Sequence, residues 1–368
     1  MAEYIVSKVY PSDKNGNRQI DELLHAEGIR RDGNLDYTCA VYDDDFNVIA
    51  TGSCYANTLR CLAVSKFHQG EGLMNTIVSH LMEIQCDRGN THVFLYTKCS
   101  SAKFFGDLGF YEIVRIEDRL VFMENRKSGF SQYLNQLKAD GDRLSVQKDK
   151  AILPEGQRED LMDGSVISGL VMNANPFTLG HLYLLEKAAA ESDVLHLFIV
   201  SEDASLIPFS VRKKLIVEGT KHLNNICYHN TGPYVISNST FPSYFQKDGT
   251  DIITGHAMLD LTIFIKISKA LGINRRYVGE EPNSQVTGIY NDIMKQELPK
   301  AGVQCIVIPR KESGGAPISA STVRKAIQDN HMELLKTLVP QTTLDYFLSS
   351  EAEGIIEKIR AAEHVIHY

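Results

Sequence analysis

Apolar and polar positions follow two different rhythms along the chain, and the change falls between residues 125 and 164. Residues 1–125 read as one unit. "DYTCAVYDDD", "FNVIATGSCYA" and "TLRCLAVS" are three short strand-like runs joined by tight turn signals, which predicts an antiparallel meander. "HQGEG" follows. Then Leu73, Ile77, Leu81 and Ile84 recur at helical spacing, with Ser79, His80 and Glu83 between them. "HVFLYT" reads as a strand, "SAKFFGDLGF" as a short helix ending at Gly109, and "YEIVRIEDRLVFME" as one more strand. Residues 126–163 are charged, with a short apolar stripe at Phe130, Tyr133, Leu134 and Leu137; they read as a helical connector followed by a polar linker.

From 164 to 368 strand and helix patterns alternate. Strands are expected at "VISGLVMN", "VLHLFIV", "NICYHN", "RRYVGE" and "VQCIVIP". Helices are expected from Leu179, from Ser210, around "MLDLTIFIKISKAL", around "TGIYNDIMKQEL" and from Ser319. That alternation predicts an α/β fold with a Rossmann-like, doubly wound parallel sheet, behind a mixed α+β first domain and ending in C-terminal helices.

Composition narrows the function classes. The net charge is −8 and no local run of Lys and Arg offsets it, so a protein devoted to nucleic-acid backbones is not expected. Seven cysteines are present without a C-x-x-C pair, as expected of small buried hydrophobes in a reducing cytoplasm rather than of a disulfide framework. The start, "MAEYIVSKVYPSDK", lacks a signal-peptide apolar region, and no apolar run is long enough to span a bilayer. A cytoplasmic protein is the expectation. His196 and His256 lack metal-ligand spacing, so no structural metal is expected.

"NPFTLGH", beginning at Asn175, follows the first strand of the second domain and opens a helix. In a doubly wound sheet ligands bind at the carboxyl ends of the strands, where the strand order reverses. A helix N-terminus there offers unpaired N–H groups and a partial positive charge, which suit an anion. Gly180 would let a phosphate approach the backbone, while Thr178 and His181 would donate to its oxygens. A fixed donor aimed at charge that develops in the transition state is worth ~2.7–4 kcal/mol. Alone, the same residues also describe an ordinary helix cap with an incidental histidine. A second stretch, "PISASTVRKAI" at 317–327, again puts hydroxyls at a helix start, Ser319, Ser321 and Thr322, and adds the guanidinium of Arg324.

Together "NPFTLGH" and "ISASTVR" resemble the nucleotidyltransferase superfamily with the T/H-x-G-H signature, with Ala320 and Ser321 in place of the usual second serine and threonine. The resemblance implies that ATP is bound, with Mg2+, and attacked at its α-phosphate. It implies catalytic roles for His181, Thr178 and Arg324, and nucleotide contacts for Asn175, Pro176, Gly180, Ser319, Ser321 and Thr322. "FSVRKKL" resembles an arginine-bearing helix of that superfamily and adds Arg212. Gly279, Glu280, Glu281 and Asn283, just after a strand, are candidates for ribose, base or a magnesium-bound water, and Lys247 for a carboxylate or phosphate.

In the first domain "QGEG" resembles the pyrophosphate loop of GCN5-related N-acetyltransferases. Gln69, Gly70 and Gly72 are then candidates for a CoA-like group, although Met74 stands where Gly or Ala is usual. "SSAKFFGDLGFYEI" resembles that family's second signature, with Phe105 where a proton-donating tyrosine is common. The domain pair, with "VISNSTFPSYFQKD" and "YVGEEPNSQVTGIYN", resembles the acetate:citrate lyase ligase family over nearly the full length. That resemblance implies an AMP-forming acid–thiol ligase. It would make acetyl-AMP from acetate and ATP, then acetylate the thiol of the phosphoribosyl-dephospho-CoA arm on the citrate lyase acyl carrier subunit. The residues by themselves leave two other readings open: a cofactor-biosynthetic adenylyltransferase, and a CoA-dependent N-acetyltransferase with an inert second domain.

Overall fold

The structure is a computed structural model that describes residues 4–152, 164–203, 205–235, 249–280 and 285–362. The chain divides into two compact units, Met1–Phe130 with Thr240–Leu259, and Ser131–Ser239 with Asp260–Tyr368.

The first unit runs β1 (Val6–Lys8), α1 (Lys14–Ala26), β2 (Tyr37–Tyr42), β3 (Val48–Tyr55), β4 (Thr58–Val64), α2 (Leu73–Asp87), β5 (Phe94–Thr97), α3 (Ala102–Asp107), β6 (Tyr111–Ile116) and β7 (Leu120–Glu124). Its sheet has the order β1-β2-β3-β4-β5-β7-β6. The expected meander is there: β2, β3 and β4 pair antiparallel in sequence. β4 and β5 are parallel and pair through Thr58↔Phe94 and Leu59↔Leu95, at the start of both strands. The expected helical stripe turns inward, since Leu73, Ile77 and Leu81 of α2 are buried. α2 packs closely over Gly52 of β3: a Cβ there would lie 2.5 Å from Ile77 Cγ2. The run "YEIVRIEDRLVFME" is a hairpin rather than one strand, with Asp118 at φ 58° in its turn. Asp tolerates the left-handed region, so the turn needs neither Gly nor Pro and leaves no strong break in the sequence. β1 and α1 were also not expected. α1 is nonetheless signalled by Asp13, whose side chain accepts from Gly16 N, and by buried Ile20, Leu23 and Leu24.

The second unit contains most of α4 (Gly129–Ile152), then β8 (Ile167–Met172), α5 (Leu179–Ala190), β9 (Val194–Ile199), α6 (Phe209–Gly219), β10 (Ile226–Asn230) and α7 (Gly249–Leu271) from Asp260 onward. β11 (Arg275–Gly279), α8 (Gln285–Glu297) and β12 (Gln304–Ile308) follow, then the short pair β13 (Glu312–Ser313) and β14 (Ala316–Pro317). The chain closes with α9 (Ala320–Gln328), α10 (Leu335–Leu338), α11 (Gln341–Leu348) and α12 (Glu353–Ala361). All five expected strands form, in the order β10-β9-β8-β11-β12, and every pair is parallel. From central β8 the chain builds outward through β9 and β10, then crosses to add β11 and β12 on the other side. The order therefore reverses between β8 and β11, which fixes the crevice at their carboxyl ends. Leu170, Leu195, Leu197, Ile226 and Tyr277 bury one face of this sheet in the main core, together with Leu185, Leu215 and Ile327 from the helices. The connector differs from expectation in that α4 remains helical to Ile152.

Among the described residues no helix is long and apolar enough to cross a membrane. All seven cysteines are free thiols.

Candidate active site

β8 ends at Met172, and the chain turns through Asn175 and Pro176 into Thr178, the N-cap of α5. The cap is reciprocal. Thr178 Oγ1 accepts from the backbone N–H of His181 at 3.2 Å, and the Thr178 backbone N–H donates to His181 Nδ1 at 3.1 Å. An N–H donor fixes the tautomer of a neutral imidazole: Nδ1 must carry the lone pair, so Nε2 carries the proton. Burial, and then the Arg310 guanidinium, push the His181 pKa from 6.5 down to about 4. The ring is thus held neutral as an Nε2–H donor, and it stacks on fully buried Phe177 with centroids 6.1 Å apart.

The second motif meets the first. Ser319 caps α9 by accepting from Thr322 N at 3.0 Å, and its hydroxyl lies 2.8 Å from Thr322 Oγ1. Arg324 is buried and donates from one terminal nitrogen to the carbonyl of Asn175. Its other terminal nitrogen lies 3.4 Å from Ser321 Oγ. A Cβ on Gly180 would sit 2.9 Å from the carbonyl oxygen of Ile318. The glycine was expected to admit a phosphate; what its missing side chain admits here is the strand-to-helix turn that carries the serines. Asn175 Oδ1 accepts from Ile207 N at 3.2 Å, while its Nδ2 is buried without a hydrogen bond. That leaves one orphan donor beside the carbonyl that Arg324 grips.

Arg212 has a different place from the one expected. It is fully buried, and its guanidinium donates to the carbonyls of Ile207, Asn173, Val200 and Glu202 and to Asn173 Oδ1. Those acceptors lie in the loops after β8 and β9. Arg212 therefore pins the loops that shape the crevice through these bonds. Gly279 ends β11 at the expected edge, and Glu280, the next residue, is exposed. Glu281, Asn283 and Lys247 lie outside the described residues.

Arg310 was missed. It follows β12 by two residues, donates from Nε to the Glu280 carbonyl at 2.8 Å, and is near enough to depress the His181 pKa. The available signal was its position, since a basic residue just past the last parallel strand falls at the ligand edge.

In the first unit Gly72 is the N-cap of α2 at φ 83°, and Gly70 has φ 89°. A Cβ at either would touch nothing within 4 Å, so the left-handed backbone and not crowding calls for glycine. The loop 69–72 is exposed, and its one carboxylate, Glu71, is held by Tyr4 and His68, which keep its pKa low. Phe105 does more than lack a proton: it is buried in the core of this unit and packs edge-on to Phe104 at 5.4 Å.

Spacing along the chain had argued against a metal, yet the fold brings His196, Cys227 and His229 together on β9 and β10.

The family model described as the citrate lyase ligase C-terminal domain matches residues 167–347, which include both motifs. A citrate (pro-3S)-lyase ligase of Haemophilus influenzae is 36% identical over 89% of this chain and 93% of its own length. Its counterpart in Escherichia coli strain K12 is 34% identical over 93% of each chain. Among solved structures, a GNAT-family acetyltransferase of Staphylococcus aureus MU50 is similar over 34% of this chain and 100% of its own, at 11% identity and a TM-score of 0.29. Identity at this level along nearly the whole of both chains places the protein in the citrate lyase ligase family.

Proposed function

We propose that the second unit uses ATP to activate acetate as acetyl-AMP, and that the chain then acetylates the thiol of the CoA-derived arm on the acyl carrier subunit of citrate lyase. The supporting observation is the meeting of two capped helix starts at the carboxyl end of β8, tied by Arg324 to Asn175 and by the Gly180–Ile318 approach. Such a cluster of N–H groups, hydroxyls and a guanidinium suits a polyphosphate.

An acetate oxygen attacks the α-phosphorus, the bond to the bridging β-phosphate oxygen breaks, and pyrophosphate leaves with that electron pair. The Nε2–H of His181 donates to a phosphate oxygen as negative charge builds, with no proton transfer required of it. Arg324, Ser319, Ser321 and Thr322 hold the triphosphate, and Arg310 adds positive charge beside the ring. Mg2+ would arrive with the nucleotide and neutralise phosphate oxygens, and Glu280 is the described carboxylate at this edge that suits one of its waters. In the second step the carrier thiolate attacks the acetyl carbon, the bond to the phosphate oxygen breaks, and AMP leaves. The first unit would bind the arm through the 69–72 loop. Phe105, being core, takes no part in protonating a thiolate.

Product analysis with labelled ATP and acetate tests the scheme. The ligase gives AMP and pyrophosphate in amounts that depend on acetate. An AMP-bearing final product would instead mark a cofactor adenylyltransferase, and indifference to ATP would mark a CoA-dependent acetyltransferase.

A further inference from the structure

The parallel sheet of the second unit has two unlike faces. One belongs to the apolar core already described. On the other, alternation along the strands presents His196 and Phe198 from β9 beside Cys227 and His229 from β10, because Cys227 pairs with His196 and His229 with Phe198. His196, Cys227 and His229 are 4%, 5% and 2% exposed. One ligand-capable atom from each lies within 4.8 Å of the other two. His196 Nδ1 and His229 Nε2 are 2.8 Å apart, and the rings stack at 5.1 Å. The other nitrogen of His229, Nδ1, is buried without a hydrogen bond. Asp140 of α4 brings its Oδ2 to 4.0 Å from that nitrogen, and Gln136 steadies the same carboxylate at 2.9 Å.

Polar groups this deep normally have their bonding needs met, and an orphan imidazole nitrogen calls for a reason. Filling the face with carbon would be simpler, as neighbouring Phe198 and Phe264 do.

We propose that His196 Nδ1, His229 Nε2 and Cys227 Sγ form a binding site for Zn2+, with the Asp140 carboxylate outside the ligand set, beside the far nitrogen of His229, where it helps to orient that ring. Two imidazoles and a thiolate select a borderline-soft ion such as zinc over Mg2+ or Ca2+. Zinc–nitrogen bonds of about 2.0–2.1 Å in a tetrahedron put the two nitrogens roughly 3.3 Å apart, so the histidine pair opens by about half an ångström. On binding, the Cys227 S–H bond breaks, its proton goes to solvent, and the sulfur electron pair forms the zinc–sulfur bond. The Cys227 thiolate, with the Asp140 carboxylate nearby, offsets the charge of the ion. The ligands sit within the strands, not in the crevice loops, so the ion ties β9 and β10 together and takes no part in adenylation.

The test uses the full-length chain with Cys86→Ser, which removes the one exposed thiol. After expression with zinc and desalting, elemental analysis should find one zinc per chain. Replacing it with Co2+ should give a thiolate-to-cobalt charge-transfer band. Cys227→Ser should lose that band, and His229→Gln should bind zinc at least tenfold more weakly in competition with a chromophoric chelator. Chelation should lower the melting temperature of the parent and not that of Cys227→Ser. Should the variants fail to fold, the cobalt spectrum of the parent decides. A folded parent with sub-stoichiometric zinc and no cobalt–thiolate band overturns the proposal, as does unchanged zinc content in Cys227→Ser. Either result leaves the ATP-dependent reaction unaffected as a separate question.

Discussion

At the residue scale, His181 is defined by which of its nitrogens is already taken. The Thr178 N–H occupies Nδ1, so replacing His181 removes an Nε2–H donor and one half of a helix cap. His181→Ala should lower kcat for acetate-dependent pyrophosphate release by about 10²–10³, the cost of one transition-state donor, with a much smaller change in ATP affinity. Unchanged pyrophosphate release would remove the residue from the mechanism. Because its pKa is about 4, the ring stays neutral above pH 5, and the rate should show no histidine-dependent fall between pH 8 and pH 5. The same shift sets a stability slope. Between the unfolded value of 6.5 and the folded value of about 4, the unfolded chain binds more protons, so stability is complete above 6.5 and declines as pH falls. Urea melts at pH 7 and pH 5 should therefore converge in His181→Gln relative to the parent. Arg324 differs because it acts on the ground state as well. Losing charge-assisted bonds worth ~1.5–3 kcal/mol should raise the ATP KM of Arg324→Ala roughly tenfold to a hundredfold. Arg324→Lys should recover only part of this, since an ammonium cannot bridge Asn175 and Ser321 as the fork does. Full activity in the lysine variant would mean that no contact here depends on the fork.

At the element scale, the site depends on how two helix starts are brought together. Each start was visible in the chain, because Thr178 with His181 and Ser319 with Thr322 are cap residues at the right spacing. Their meeting was not visible: it is made by a carbonyl, Ile318 O, against the bare Cα of Gly180, and backbone contacts leave no side-chain pattern. Arg212 shows the same limit from the other direction. Its helix resembles an arginine-bearing one of the nucleotidyltransferases, yet in this buried place Nε and both terminal nitrogens donate to loop carbonyls, which local sequence does not reveal. The five parallel strands, by contrast, were readable because each is a short apolar run between helical patterns. Gly180→Ala tests the contact. A methyl at 2.9 Å from a carbonyl oxygen must push the α5 start and the Ile318 turn apart. Catalysis should drop at least tenfold while the melting temperature shifts by only a few degrees, as overpacking costs about 1–3 kcal/mol. Equal activity would show that the turn carrying Ser319 yields freely.

At the scale of the whole molecule, one chain carries two sets of helix starts to which the proposed function assigns phosphate groups: the capped pair on the parallel sheet and the glycine loop ahead of α2. Domain order and both loops were legible in the sequence, and the identity with citrate lyase ligases spans both units. The division of labour proposed for them makes the two half-reactions separable. A thiol held on the same chain as a reactive acyl-adenylate gains an effective concentration reaching the millimolar range for a short tether. Disabling the holder should then spare the first half-reaction and slow the second. Gly70 is the place to do this. Its loop is exposed, a Cβ there meets nothing, and Asp accepts φ 89° with less strain than most residues. Gly70→Asp should therefore fold, and it places a second carboxylate beside Glu71 where a pyrophosphate would lie. Acetyl-AMP formation without carrier should match the parent. Acetylation of the carrier should show a KM raised roughly tenfold or more, the effect of about 1.4 kcal/mol of lost binding, and the deficit should shrink as salt screens the added charge. If Gly70→Asp acetylates the carrier with the parent's KM, the loop does not hold the arm, and the first unit serves the ligase in some other way.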